Sequence, residues 1–224
     1  MTYIREPMAV VDGIPVFCAS DEFTENYEQI GRDYLKHFDR TGKNPWQTNK
    51  QLDYMQAPTA QAVIRHSNPN DLILDVGVSD GRLLKEIPDR QLYGVDISLD
   101  CLRRAKNHGI VVACARAESL PYEDEMFHLV NCSDVLEHVQ DLNAVVRELY
   151  RVLKPGGFLV VRVPKEESLD SYLYDSSPYK FIHLRLFDDS TLRILFTRIF
   201  PFTIISGSLL QTKGATEILM VVQK

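Results

Sequence analysis

Two aspartates and two glycines carry the first chemical signal in this chain. Asp75 lies in the apolar run Leu72-Ile73-Leu74-Asp75-Val76, and Gly77 and Gly81 follow it directly. Glycine supplies backbone freedom for a tight turn and lets a ligand approach the main chain. A helix opening after Gly81 would turn its free N–H groups toward an anionic group. Asp96 ends a second strand-like run, Gln91-Leu92-Tyr93-Gly94-Val95. That is about twenty residues further on, the spacing of a carboxylate that grips a ribose hydroxyl pair. The pattern points to a nucleoside-bearing ligand.

These residues need a parallel sheet to hold them. From Asp71 onward, short apolar runs alternate with helical patterns. Strands are expected at Leu72 to Val76, Gln91 to Asp96, Ile110 to Cys114, Phe127 to Cys132 and Phe158 to Val163. Helices are expected from Gly81 to Glu86, Leu99 to Asn107 and Asp141 to Leu153, the last stopped by Lys154-Pro155-Gly156-Gly157. Such alternation means right-handed crossovers with helices on both faces. Asp188 or Asp189 should cap a helix through Phe196. Two closing antiparallel strands, Phe202 to Ser206 and Glu217 to Val222, complete a mixed seven-stranded sheet. Upstream, Val11 to Phe17 reads as a strand or strand-turn with Asp12-Gly13 at the bend. Phe23, Tyr27, Ile30, Tyr34 and Phe38 recur at helical spacing, capped by Ser20 or Asp21. Ala57 to His66 reads as a helix with Pro58 near its first turn. Residues 1–56 are therefore taken as an N-terminal helical extension or lid, and residues 57–224 as the main domain. Within the latter, residues 164–187 break the rhythm and carry Tyr172, Tyr174, Tyr179 and Phe181, as a functional cover does.

The totals narrow the function classes. The 224 residues are 45% hydrophobic and 25% charged, enough for a full core. A net charge of −6 weighs against a nucleic-acid partner, which calls for a basic face. No apolar run approaches the roughly 20 residues that span a bilayer, and the first residues show no signal-peptide pattern, so a cytoplasmic chain is expected. Cys18, Cys101, Cys114 and Cys132 are scattered, as buried free thiols in a reducing compartment are.

The ordered set of segments resembles the class I S-adenosylmethionine-dependent methyltransferases. It comprises Leu74-Asp75-Val76-Gly77 to Gly81-Arg82-Leu83-Leu84, Tyr93-Gly94-Val95-Asp96, Ala117-Glu118-Ser119-Leu120-Pro121-Tyr122, Val135-Leu136-Glu137-His138-Val139 and Leu153-Lys154-Pro155-Gly156-Gly157. His183-Leu184-Arg185-Leu186-Phe187 is similar to a His-x-Arg-x-Phe that precedes the last helix of many members. A Rossmann-like seven-stranded mixed sheet and S-adenosyl-L-methionine as cofactor are what the resemblance implies. The competing dinucleotide fingerprint, G-x-G-x-x-G, would place Ser79 and Arg82 where a pyrophosphate needs bare backbone.

By that resemblance, Gly77 and Gly81 line the methionyl and ribose part, Asp75 sits near the ammonium, and Asp96 holds the ribose hydroxyls. Ile97 packs on the adenine, the main chain at Ala117 and Glu118 meets its edge, and Ser133 closes over the methionine end. Two positions depart from the family: Ser79 replaces a usual glycine, and Arg116 replaces an aspartate that often binds the adenine amino group. His138, Glu137 and then His183 are the acid–base candidates, because open α/β sheets bind ligands at the carboxyl ends of strands. Asp134-x-x-Glu137-His138 also resembles the E-x-x-E-H metal cluster of some members, but the reading assigns no metal. Val11 to Phe17 resembles the tail of a zinc-ribbon-like domain whose cysteine pairs are absent here. The expected activity is methyl transfer to oxygen or nitrogen of a small-molecule substrate, with no nucleic-acid or membrane partner. A non-catalytic partner of the same fold, and an RNA or protein methyltransferase, are the alternatives.

Overall fold

The computed structural model describes residues 3–46, 48–165, 168–172 and 178–224. Its centre is a mixed sheet whose parallel strands are β3 (Leu72–Val76), β4 (Gln91–Asp96), β5 (Val111–Cys114), β6 (Phe127–Ser133) and β7 (Leu153–Lys165). Two further strands, β8 (Thr203–Thr212) and β9 (Ala215–Gln223), form an antiparallel pair, and β9 is also antiparallel to β7. These seven strands are the expected core. Two more are added at the other edge: β1 (Ala9–Val11) and β2 (Ile14–Val16) form a hairpin, and β2 joins β5 in parallel through Val16 and Cys114. The full order is β1-β2-β5-β4-β3-β6-β7-β9-β8. Asp12 and Gly13 both take positive φ at the hairpin bend, the geometry of a two-residue turn between twisted strands.

Strand β3 is the pivot. It pairs with β4 on one side and β6 on the other, so the strand order reverses there and a crevice opens at the carboxyl ends. Alternate side chains of β3 feed the two cores. Leu74 and Val76 pack with Val145, Val146, Leu149 and Val152 of helix α4 (Leu142–Val152), while Ile73 packs with Met55, Val63, Leu102 and Ala105 on the opposite face. Ser98 caps α3 (Leu99–Asn107) and Asp141 caps α4, each accepting a main-chain N–H from its first turn.

Several boundaries differ from expectation for identifiable reasons. The helix expected from Gly81 to Glu86 is a single 3-10 turn, Leu84–Glu86: Gly81 itself has φ +81°, outside helical backbone, and Pro88 stops any extension past Ile87. The second upstream helix, α2 (Asn49–Arg65), starts eight residues earlier than expected. Thr48 and Gln51 form a reciprocal capping box that outweighs Pro58, which lies inside the helix. The boundary expected between residues 56 and 57 therefore falls within α2, and the N-terminal segment is both helical and part of the sheet. Asp21 caps α1 (Glu22–Thr41) with its own capping box. Lys154-Pro155-Gly156-Gly157 belongs to β7 itself. Asp188 caps α5 (Asp189–Ile194), which continues as one wide turn over Leu195–Ile199. Among the described residues, no helix is long and apolar enough to cross a membrane.

Candidate active site

A cleft of about 1160 Å³ lies at the carboxyl ends of β3, β4, β6 and β7. Asp75, Gly77, Ser79, Asp96, Ile97, Ala117, Glu118 and Ser133 line it, together with Glu137, His138 and His183. Gly81 is the exception. A Cβ there would meet Ile110 Cδ1 at 2.7 Å and the Ala105 backbone at 3.1 Å, so this glycine serves the packing of the turn on α3. Gly77 has φ +79°, and a Cβ on it would lie 2.3 Å from Val135 Cγ2. Its freedom lets the loop after β6 close over the end of β3.

The floor of the cleft is acidic and dry. Asp75 is 3% exposed and accepts a 2.6 Å hydrogen bond from the Asn131 amide. Burial pushes its carboxyl up to about 7, against the partial relief from Asn131. Ser133 in turn donates to the Asn131 carbonyl oxygen at 2.9 Å. Spacing does not single out Asn131; the available signal is an amide inside the otherwise apolar strand β6. Asp96 accepts the N–H groups of Ser79 and Ser98, each at 2.9 Å. The expected helix-terminal anion site is thus not formed, because the 3-10 turn begins only at Leu84 and the Ser79 N–H is directed at a carboxylate. Ser79 sits at φ +48°, the left-handed region that a glycine would occupy without strain.

Arg116 is fully engaged at the cleft rim. Its guanidinium lies over the Phe23 ring, 5.0 Å from the centroid, and pairs with Asp21 at the start of α1. A further hydrogen bond to Gln140 Oε1 measures 3.0 Å. The residue that departs from the family pattern is therefore what ties the N-terminal helix to the cleft rim.

The catalytic candidates meet on the other side. His138 Nδ1 lies 3.0 Å from the Ile182 carbonyl oxygen and 3.0 Å from the Tyr27 hydroxyl, and that hydroxyl also donates to Ile182 at 3.0 Å. With Nδ1 protonated toward the carbonyl, Nε2 is the acceptor nitrogen. The His183 ring packs edge-on against His138 at 4.6 Å. Glu137 is 1% exposed, lies 3.8 Å from His138 Nε2, and neither of its carboxylate oxygens finds a hydrogen-bond partner among the described residues. Burial, then the charge of Asp134, holds its carboxyl well above the usual range. Asp134 itself pairs with Arg162, which also contacts Glu217 at 2.8 Å and donates to the Met55 carbonyl at 2.9 Å. The loop is pinned from below as well: Leu184 N–H donates to Glu137 O and Arg185 to Leu136 O.

The aromatic stripe of α1 forms one wall. Phe23 packs on Phe181 at 5.4 Å, Asn26 bonds the main chain of Lys180 and Phe181, and Tyr34 donates to Asp80 at 3.0 Å. Tyr179 donates to Asp33 at 3.1 Å. Tyr174 of the expected cover lies outside the described residues. Tyr27, Tyr34, Asn131 and Arg162 are the site residues that sequence patterning did not assign to chemistry, because helical spacing reads tyrosines as packing.

Residues 74–161 match a family profile described as a methyltransferase domain. With the seven-strand core, the strand reversal at β3 and Asp75 and Asp96 facing one cleft, that match decides the family of residues 74–161. Residues 74–161 are a class I, S-adenosylmethionine-dependent methyltransferase domain. The chain is 32% identical over 139 residues to demethylmenaquinone methyltransferase of Corynebacterium urealyticum, covering 60% of each chain. It is also 32% identical over 119 residues to tRNA (carboxymethyluridine(34)-5-O)-methyltransferase of Arabidopsis thaliana, covering 52% of this chain and 30% of that one. The chain spans 43% to 60% of the length of the first three relatives it matches. In fold it is similar to the [4+2]-cyclase SpnF, with a TM-score of 0.70 at 17% identity over 98% of this chain and 99% of that one. At the cleft floor the buried Asp75 carboxyl, raised to about 7, would complement a cationic group once it ionises.

Proposed function

We propose that the chain is a methyltransferase that transfers a methyl group from S-adenosylmethionine to an oxygen or nitrogen of a small molecule. The observation that carries this reading is a single cleft lined by both the cofactor set and the Glu137, His138 and His183 set. Its volume of about 1160 Å³ exceeds the roughly 300–1,000 Å³ of a one-ligand pocket, leaving room for an acceptor beside the cofactor.

When bound, the cofactor supplies a sulfonium methyl that is already activated for in-line displacement. Asp75 would hold its ammonium, Asp96 its ribose hydroxyls, Ile97 and the Ala117–Glu118 main chain its adenine, and Ser133 its methionine end. The protein's remaining work is alignment and exclusion of water. Phe23, Tyr27 and Ile30 supply the apolar wall. His138 Nε2 is the group that receives a proton from an acceptor hydroxyl or amine, with Tyr27 and Ile182 holding the ring. Glu137, 3.8 Å from His138 Nε2, orients the imidazole, and His183 braces it.

Calorimetric titration with S-adenosylmethionine and its demethylated product tests the base of the reading; absence of heat and of any thermal shift would refute it. His138→Ala should keep cofactor affinity while lowering turnover by about 10²–10⁴. Unchanged turnover would leave His138 as scaffold. A non-catalytic role is answered by turnover on any acceptor. The similarity to a tRNA methyltransferase keeps an RNA acceptor in view, and the net charge of −6 opposes it. Retention on immobilised tRNA at low salt separates the two.

A further inference from the structure

Outside the acid–base cluster, the sulfurs of Cys18 and Cys114 lie 3.7 Å apart. They are far apart in sequence and brought together by the hairpin. β2 pairs with β5 at Val16 and Cys114, and Phe17 N–H donates to Cys114 O at 2.8 Å, so the two backbones run side by side. Cys18 is partly exposed while Cys114 is buried, and Cys101 and Cys132 are also buried. The S–H of Cys114, then the nearby Arg116 cation, holds the Cys18 thiol below its usual range; desolvation acts in the opposite sense. Burial holds Cys132 well above it and Cys101 up to about 12. One accessible, acidified thiol therefore faces one buried partner, the arrangement of an attacking and a resolving cysteine.

We propose that Cys18 and Cys114 form a reversible disulfide under peroxide, at the edge of the cofactor cleft. The Cys18 thiolate attacks a peroxide oxygen, the O–O bond breaks, and Cys18 becomes a sulfenic acid as hydroxide leaves. The Cys114 sulfur then attacks the Cys18 sulfur, its proton leaving with the displaced hydroxyl as water. In sum, two thiols are oxidised to one disulfide and one hydrogen peroxide is reduced to two waters. A dithiol reductant reverses it.

The bond has a consequence for the cleft. A disulfide requires sulfurs about 2.05 Å apart, so both must move. Cys114 Sγ now contacts the Ile97 carbonyl oxygen at 3.7 Å, and Cys114 pairs directly with Asp96 across the ladder. Oxidation removes that S–H donor and draws the end of β5 toward the hairpin, beneath Ile97 and Asp96. On the methyltransferase reading, the oxidised protein should bind S-adenosylhomocysteine about threefold or more weakly.

The full chain is treated with hydrogen peroxide, alkylated, digested and analysed by mass spectrometry. The expected result is a Cys18–Cys114 linked peptide pair that dithiothreitol releases, with Cys101 and Cys132 still alkylated. Cys114→Ser should stop at a sulfenic acid on Cys18 that dimedone traps. Conversion of Cys18 to sulfinic acid in the natural chain without the link would overturn the proposal, as would oxidation of Cys101 or Cys132 at an equal rate. Calorimetry with S-adenosylhomocysteine then compares reduced and oxidised protein. Equal affinities would overturn the coupling to the cleft, and Cys18→Ser should bind alike with and without peroxide. If the reduced protein binds no S-adenosylhomocysteine, the methyltransferase reading fails while the linked peptide still decides the thiol pair.

Discussion

Asp75 is the residue whose environment says most about the ligand. Its carboxyl is held at about 7 by burial, with the Asn131 amide as partner. In the unfolded chain an aspartate titrates near about 3.9, so folding takes up a proton between roughly pH 4 and 7. The folded form binds that proton more tightly, which means stability falls as the pH climbs through this window. The Asp75 share of the slope should reach about 1.4 kcal/mol per pH unit and should vanish in Asp75→Asn, measured by urea unfolding from pH 4.5 to 8. A cationic ammonium beside Asp75 reverses the preference. Cofactor binding at pH 6 should therefore release a proton in the natural chain and none in Asp75→Asn, as calorimetry in buffers of different ionisation enthalpy would show.

At the scale of elements, Arg162 joins α2 to the sheet. From β7 it reaches Asp134 after β6, Glu217 on β9, and the Met55 carbonyl and Thr59 hydroxyl of α2. Its side chain is almost fully buried, as is that of Glu217. Removing one member of such a network leaves an uncompensated charge, which costs about 3–5 kcal/mol. Arg162→Met should lower unfolding free energy by that order and loosen α2. It should also disturb the loop that carries Glu137 and His138, since Asp134 opens that loop. A change below about 1 kcal/mol in chemical denaturation would show the network to be dispensable.

At the scale of the molecule, the N-terminal hairpin closes an edge that would otherwise be open. Ile14 is fully buried and Phe17 nearly so, and β2 covers β5. Deleting residues 1–17 should expose the β5 edge and empty two large core positions, at a cost of several kcal/mol. The expected outcome is a lower melting temperature with concentration-dependent light scattering; an unchanged melting curve would make the hairpin an ornament. The match at residues 74–161 begins well past this hairpin, so the sheet of this chain is wider than the core that the family resemblance implies.

The sequence alone determined the parallel core and most of the residues that face its cleft. Apolar runs of strand length, each ending in a charged or turn residue, specify buried strands whatever the rest of the chain does. The order of Asp75, Gly77, Asp96 and Glu137-His138 follows from that alternation. Local chemistry also determined the cap at Asp141 and narrowed two others to Ser20 or Asp21 and Asp188 or Asp189, because a cap and its first turn lie within a few residues. The tertiary structure decided what depends on distant neighbours. Whether the stretch after Gly81 is a helix rested on the backbone that Gly81 takes up against Ala105 of α3 and Ile110. Tyr27 became a partner of His138 only when α1 docked on the loop at Ile182. Asn131 became the partner of Asp75 through the β3–β6 register, and Cys18 met Cys114 because the hairpin chose the β5 edge. These pairs join residues from about 50 to more than 100 positions apart, and no periodicity reaches that far. Side-chain spacing encodes which face of an element is buried, whereas the identity of the group facing it is set only when the sheet is assembled.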